Sequence, residues 1–134
     1  MARWILDKND VDALLIGLGI YGTGGGGDPE WGRKIIENDF SKGRVYEIVD
    51  PEDVEDDAFV CSGGIMGSVK ALEYMSYDEI VESWEKEFIL MKAFREMEKI
   101  KGRKIDYIIP FEAGGLNTPV IMTLAARMGI PVIN

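Results

Sequence analysis

The sequence predicts an α/β fold with a mostly parallel sheet flanked by helices. Short apolar runs alternate with longer segments of helical periodicity, the pattern of βα units rather than of an all-β or all-α domain. Glycine-rich segments follow two of the strand-like runs, where open α/β sheets carry their functional loops. With 46% hydrophobic residues among 134, the chain has enough apolar material for the core of one domain.

Asn9 or Asp10 caps a first helix that begins near Val11, with Val11, Leu14, Leu15 and Leu18 at helical spacing. It must stop by Gly22, because Gly24 to Gly27 would each cost about 1 kcal/mol in a helix. Asp28-Pro29-Glu30 opens a second helix as cap, first-turn proline and favourable N-terminal charge, and Ser41-Lys42-Gly43 ends it after Phe40. Arg44 to Val49 reads as a strand, followed by an acidic loop from Pro51 to Asp57 and a short buried strand over Ala58 to Cys61. A short helix is expected from about Ser68 to Glu73. From Tyr77 or Asp78 to about Lys101, Val81, Trp84, Phe88, Met91, Phe94, Met97 and Ile100 form one apolar stripe, which predicts one long helix ended by Gly102. Ile105 to Phe111 is a second buried strand, with Pro110 suited to an edge or a strand terminus. Asn117 or Thr118 caps the last helix, which runs through about Met128 to Gly129, and Ile130 to Ile133 begins another strand.

Composition excludes several classes of function. The net charge of -9 opposes binding to nucleic acid or to an anionic membrane. Without histidine, the chain holds no Ser-His-Asp or Cys-His unit and no His-bearing zinc site. A single cysteine, Cys61, rules out an internal disulfide and suits a reducing cytosol, so a cytoplasmic location is expected. The lack of His and Gln with abundant Glu and Lys resembles heat-adapted composition. Cys61 has apolar neighbours and reads as a buried, inert thiol.

Four motifs bear on chemistry. Gly17-Leu18-Gly19-Ile20-Tyr21-Gly22 matches the dinucleotide pattern G-x-G-x-x-G, but it lies in a helix-like segment with no strand before it, so no NAD binding is expected. Thr23, Gly24, Gly25, Gly26 and Gly27 form a loop whose backbone amides can approach a ligand closely, next to a helix N-terminus. Gly63 and Gly64 lie in a second loop after a strand. Glu112-Ala113-Gly114-Gly115-Leu116-Asn117 forms a third, in which Glu112 follows an apolar run that can desolvate it and fit it for acid–base work. A competing reading makes Asp28 a mere cap and the glycines simple turns. Convergence of these loops on one sheet edge would suit a small polar ligand.

The segments GTGGGGDPEWGRK (22–34), SGGIMGS (62–68) and KGRKIDYIIPFEAGGLNTP (101–119), followed by AARMGIPVIN, resemble successive blocks of S-methyl-thiohydantoin desulfurase-like proteins. That family was long catalogued as a domain of unknown function, often encoded beside hydantoinase and oxoprolinase subunits. The resemblance implies an N-terminal α/β domain of a larger fold, and a hydrolase acting on a hydantoin- or thiohydantoin-like cyclic amide or thioamide. In that reading Glu112 manages the proton, and Asp28 and Asn117 hold ring N–H and carbonyl groups. Backbone amides of Gly24 to Gly27 and of Gly114 and Gly115 stabilise developing charge. A divalent metal held by Asp28, Glu112 or partner residues is compatible with oxygen ligands. The chain stops at Asn134 where a strand would pass into a functional loop. A missing C-terminal half, a hydantoinase-type partner subunit or a homo-oligomer is therefore expected, and the chain alone is expected to be inactive. The alternative is a non-catalytic scaffold or regulatory subunit.

Overall fold

The computed structural model describes residues 3–134. Five strands form one sheet: β1 (Arg3–Ile5), β2 (Glu47–Val49), β3 (Val60–Gly63), β4 (Tyr107–Pro110) and β5 (Val132–Ile133), in the order β1-β2-β5-β4-β3. Only β1 is antiparallel, pairing Trp4 with Ile48. The other pairs are parallel, with Ile48 and Ile108 both opposite Val132, and Gly63 opposite Pro110. Pro110 thus stands at the terminus of an inner strand, where its missing N–H costs the ladder nothing.

Strand alternation divides the core in two. Ile48, Ile108 and Val132 join the main cluster beneath the helices. Val49, Tyr107 and Ile133 point the other way, into a smaller cluster with Val54, Ala58, Val60 and Ile109.

Six helices complete the fold: α1 (Val11–Gly22), α2 (Pro29–Ser41), α3 (Val69–Leu72), α4 (Tyr77–Lys86), α5 (Ile89–Lys101) and α6 (Asn117–Met128). Helix α6 is central. Every residue from Asn117 to Ala125 is buried, and the helix lies between the sheet and helices α2 and α5. Helix α2 starts as its sequence dictates, with the Asp28 carboxylate accepting from the Glu30 N–H at 2.9 Å and Pro29 in the first turn. Helix α1 packs on α2 and buries Val11, Leu15 and Leu18, yet its outer side carries Ile16, Ile20 and Tyr21 at 66%, 69% and 79% exposure. A helix apolar all round normally has cover on every side.

Several elements depart from sequence expectation, and β2, expected from Arg44, begins only at Glu47. The stripe from Tyr77 to Lys101 is two helices, broken where Glu87 and Phe88 take extended conformations. One straight helix would run roughly 36 Å. The break instead lets Phe88 sink into the core beside Trp84, with the Arg127 guanidinium over its ring at 5.1 Å. Arg127 also donates to the Trp84 carbonyl at 3.0 Å, satisfying a carbonyl that the interrupted helix would leave open. Strand β3 lies two residues beyond the expected Ala58–Cys61, because pairing with β4 sets its register and the Asp106 carboxylate takes the Phe59 N–H at 2.8 Å. Strand β1 is an addition, its three residues too short to carry a period.

Charged groups tie these layers together. Asp39 is fully buried in α2, accepting from the Tyr46 hydroxyl at 2.6 Å and from Arg44 at 2.8 Å. Arg44 and Arg127 both reach Glu85 on α4, and the hydrogen bond from Arg44 is the main cause holding the Glu85 carboxyl near pKa 2. At the end of α5, burial pushes the Glu98 carboxyl upward. Arg95, the Ile105 N–H and Lys104 outweigh it and leave a value of about 2. Among the described residues no helix is long and apolar enough to cross a membrane.

Candidate functional site

Strands β3 and β4 end side by side, the Phe111 N–H donating to the Gly63 carbonyl at 3.1 Å. From these tips one loop leads to α3 and another to α6, and the glycine loop between α1 and α2 meets them there. The Gly26 carbonyl accepts from the Leu116 and Asn117 amides at 2.9 and 3.0 Å, so it occupies the N-terminus of α6. The Gly114 N–H donates to the Thr118 hydroxyl at 3.2 Å. The Gly114 amide, expected to face a ligand, is thus engaged within the fold, as is that of Gly25, which donates to the Gly22 carbonyl at 2.7 Å.

The contact between the loops is backbone against backbone. A Cβ on Gly114 would lie 2.3 Å from the Gly26 Cα, and one on Gly115 would lie 2.4 Å from the Pro29 nitrogen. Gly26 and Gly27 also sit at φ of 68° and 85°, which side-chain-bearing residues rarely adopt. Glycine is needed here so that the loops can touch.

Beside this junction lies a cavity of about 320 Å³, at the carboxyl ends of β3 and β4. Gly26, Gly27, Glu112 and Asn117 line its polar side, with Ser68. Ile65, Met66, Ala71, Leu72 and Leu116 form the remainder, with Gly67. Of the residues singled out in the sequence, four therefore reach it. Thr23, Gly24, Gly25 and Asp28 are not in its wall. Asp28 serves as the α2 cap. Gly63 makes room for the Phe94 ring and Gly64 for the Phe111 ring, while Gly114 and Gly115 are buried behind the wall. The apolar side went unrecognised. Its one signal was the pair Ile65-Met66 set between glycines.

Asn117 does not cap α6. The residue before the helix is Leu116, with no side-chain cap bond. Instead the Asn117 side chain, 6% exposed, accepts from the Ile65 N–H at 2.8 Å and donates to the Glu112 carboxylate at 2.5 Å. Only an acceptor satisfies the Ile65 amide, which fixes the amide orientation and turns Nδ2 toward Glu112. Asn117 thus couples the loop after β3 to the loop after β4. Glu112 is exposed rather than desolvated by the apolar run before it.

Among the described residues, no three His, Cys, Asp or Glu side chains come together as a metal cluster. Asp28 Oδ1 is held by its cap bond and Glu112 Oε1 by Asn117. Among the described residues, Asp28 and Glu112 thus do not assemble a metal site. Cys61 lies half-buried on β3, where burial pushes its thiol up and disfavours the reactive thiolate.

A larger cavity of about 410 Å³ opens at the opposite ends of the strands. Its charged groups satisfy one another, the Tyr107 hydroxyl donating to Glu55 at 2.7 Å and Arg103 to Asp106 at 2.8 Å. It is a surface of paired charges, away from the loop convergence.

The family model for the S-Me-THD-like N-terminal domain matches residues 9–134. The chain belongs to the S-Me-THD-like family. No curated protein matches it. A crystal structure of a protein from Chromobacterium violaceum is similar, with a TM-score of 0.71 and 28% identity over 97% of the present chain. The present chain covers 34% of that longer chain. All three glycine-rich loops fall within the family match.

Proposed function

We propose that this S-Me-THD-like domain binds a hydantoin- or thiohydantoin-like cyclic amide in the cavity at the β3 and β4 tips. It would act as the ligand-holding part of a hydrolase. The reading rests on the Ile65–Asn117–Glu112 relay. It leaves Glu112 Oε2 as an acceptor beside the second hydrogen of Asn117 Nδ2 as a donor. A ring amide presents N–H and carbonyl, or thiocarbonyl, on one edge, and the two pairs are complementary. In the desulfurising reaction, water adds to the ring carbon and its oxygen replaces sulfur, which leaves with the two protons of water. Glu112 holds the ring N–H or the proton in transit.

One carboxylate can take up a proton and return it in turn, but among the residues lining this cavity no cation stands ready to stabilise charge on the departing sulfur. The remaining groups are assigned to polypeptide beyond this domain, corresponding to the part of the Chromobacterium violaceum chain that it does not cover. The uncovered Ile16, Ile20 and Tyr21 face on α1 supports such a neighbour. The same shortage of catalytic groups favours a second reading, in which the domain is a non-catalytic scaffold or regulatory subunit.

Calorimetric titration with 2-thiohydantoin tests the proposal. Glu112→Gln replaces one acceptor oxygen by a donor, and a hydrogen bond to a charged group corresponds to about 10- to 100-fold in affinity. The expected result is binding by the wild type and a loss of that size in the variant. Equal affinity in both would remove Glu112 from the site.

A further inference from the structure

The cavity is larger and less polar than a bare ring requires. Its 320 Å³ is the space of roughly ten waters. A five-membered ring with two exocyclic atoms fills only part of that volume once its edge lies against Glu112 and Asn117. The remaining wall is Ile65 and Met66 from the loop after β3, Ala71 and Leu72 from α3, and Leu116 before α6. Met66 is 91% exposed and Ala71 is exposed too, so this end is an open apolar surface, and a substituent lying on it takes that surface out of water. Charge points the same way. Among the described residues no lysine or arginine lines the cavity, and its one ionisable side chain is Glu112, in a chain of net charge -9. An anionic substituent would meet a like charge and no counterion.

We infer that the ligand is a cyclic amide carrying an apolar substituent of a few carbons, its ring at the Glu112–Asn117 end and its substituent against Ile65, Met66, Ala71 and Leu72. The inference rests on the proposed cyclic-amide reading and adds the selectivity within that class. Ala71 is the sharpest probe. It lines the cavity from α3 yet is solvent-exposed, so a polar residue there leaves the core untouched.

The test is titration of the 134-residue chain with three ligands: unsubstituted hydantoin, 5-isobutylhydantoin and 5-(2-carboxyethyl)hydantoin. Each buried methylene is worth about fourfold in affinity. With the isobutyl group partly covered, 5-isobutylhydantoin is expected to bind at least about tenfold more tightly than either of the others. Ala71→Asp should erase that preference, measured as the ratio of the 5-isobutylhydantoin and hydantoin affinities within the variant. Equal affinity for all three ligands, or a preference for the carboxyethyl compound, overturns the inference and leaves the cyclic-amide reading standing. A preference that survives Ala71→Asp also overturns it, because the substituent then lies elsewhere. If none of the three binds, the cyclic-amide reading fails and the inference falls with it.

Discussion

Gly32 and Gly17 both sit inside helices, and the same change to alanine should move stability in opposite directions. In a solvent-facing helix, Gly→Ala stabilises by about 0.5–1 kcal/mol, through propensity and reduced freedom of the unfolded chain. Gly17 on α1 meets that condition, since a Cβ there would have nothing within 4 Å. Gly32 on α2 does not. Its Cβ would lie 2.0 Å from the Gly115 carbonyl oxygen and 2.7 Å from the Pro119 ring. Neither neighbour can swing away, because Gly115 is buried backbone and Pro119 is locked in the first turn of α6. Helix α2 would have to lift from the loop that carries Glu112 and Asn117. Overpacking costs about 1–3 kcal/mol, commonly more against backbone, and propensity returns about 1. The net expectation for Gly32→Ala is a loss of about 2 kcal/mol, or about 8 °C in melting temperature. Gly17→Ala should gain a few degrees. Urea denaturation with unchanged m-values would confirm that both act on the folded state. If Gly32→Ala melts as high as Gly17→Ala, α2 and the EAGGLN loop are not in contact, and the glycine junction described above is wrong.

Three further expectations follow from individual groups. Asn117→Ala leaves the Ile65 N–H without its acceptor and should cost about 2 kcal/mol in denaturation experiments; a neutral result would show that water replaces the side chain. The Tyr77 hydroxyl is buried without a hydrogen-bond partner while its ring packs edge-on against Trp31. Tyr77→Phe should therefore leave stability unchanged or raise it by up to about 1 kcal/mol, and a clear loss would reveal a bound water. Glu85 and Glu98 titrate near 2 in the folded chain against an ordinary 4.5. The unfolded chain therefore binds more protons between these values. Their contribution is complete above about pH 5 and is lost as the pH falls toward 2, by about 1–2 kcal/mol in total after allowing for solvent screening. Urea midpoints at pH 7 and pH 3, with the Glu85→Gln/Glu98→Gln chain as control, measure it; an equal pH dependence in the control would place the effect elsewhere.

Much of the architecture could be read from local chemistry. Asp28-Pro29 fixed the start of α2, Gly102 and Gly129 marked helix ends, and apolar runs located β4 and β5. These signals act within a few residues of themselves. The break at Glu87–Phe88 was hidden because the group that takes the freed Trp84 carbonyl is Arg127, far along the chain in α6. The shift of β3 had the same origin, since pairing with β4 decides the register.

The site was legible as a convergence of loops but not in its detail. Glycine signals close approach without saying what approaches, and at Gly114 and Gly115 it is Gly26 and Pro29. A sequence also cannot separate an asparagine that caps its own helix from one that reaches a neighbouring loop. Asn117 does the latter, joining segments 52 residues apart.

The most direct trial of the account is an amide NMR titration of the chain with 2-thiohydantoin. Shifts concentrated at Gly26, Gly27, Ile65 and Glu112, with the Asn117 side-chain amide moving in step, are the predicted result. Shifts centred on Arg103 and Tyr107 at the opposite ends of the strands, or no shifts at saturating ligand, would contradict it.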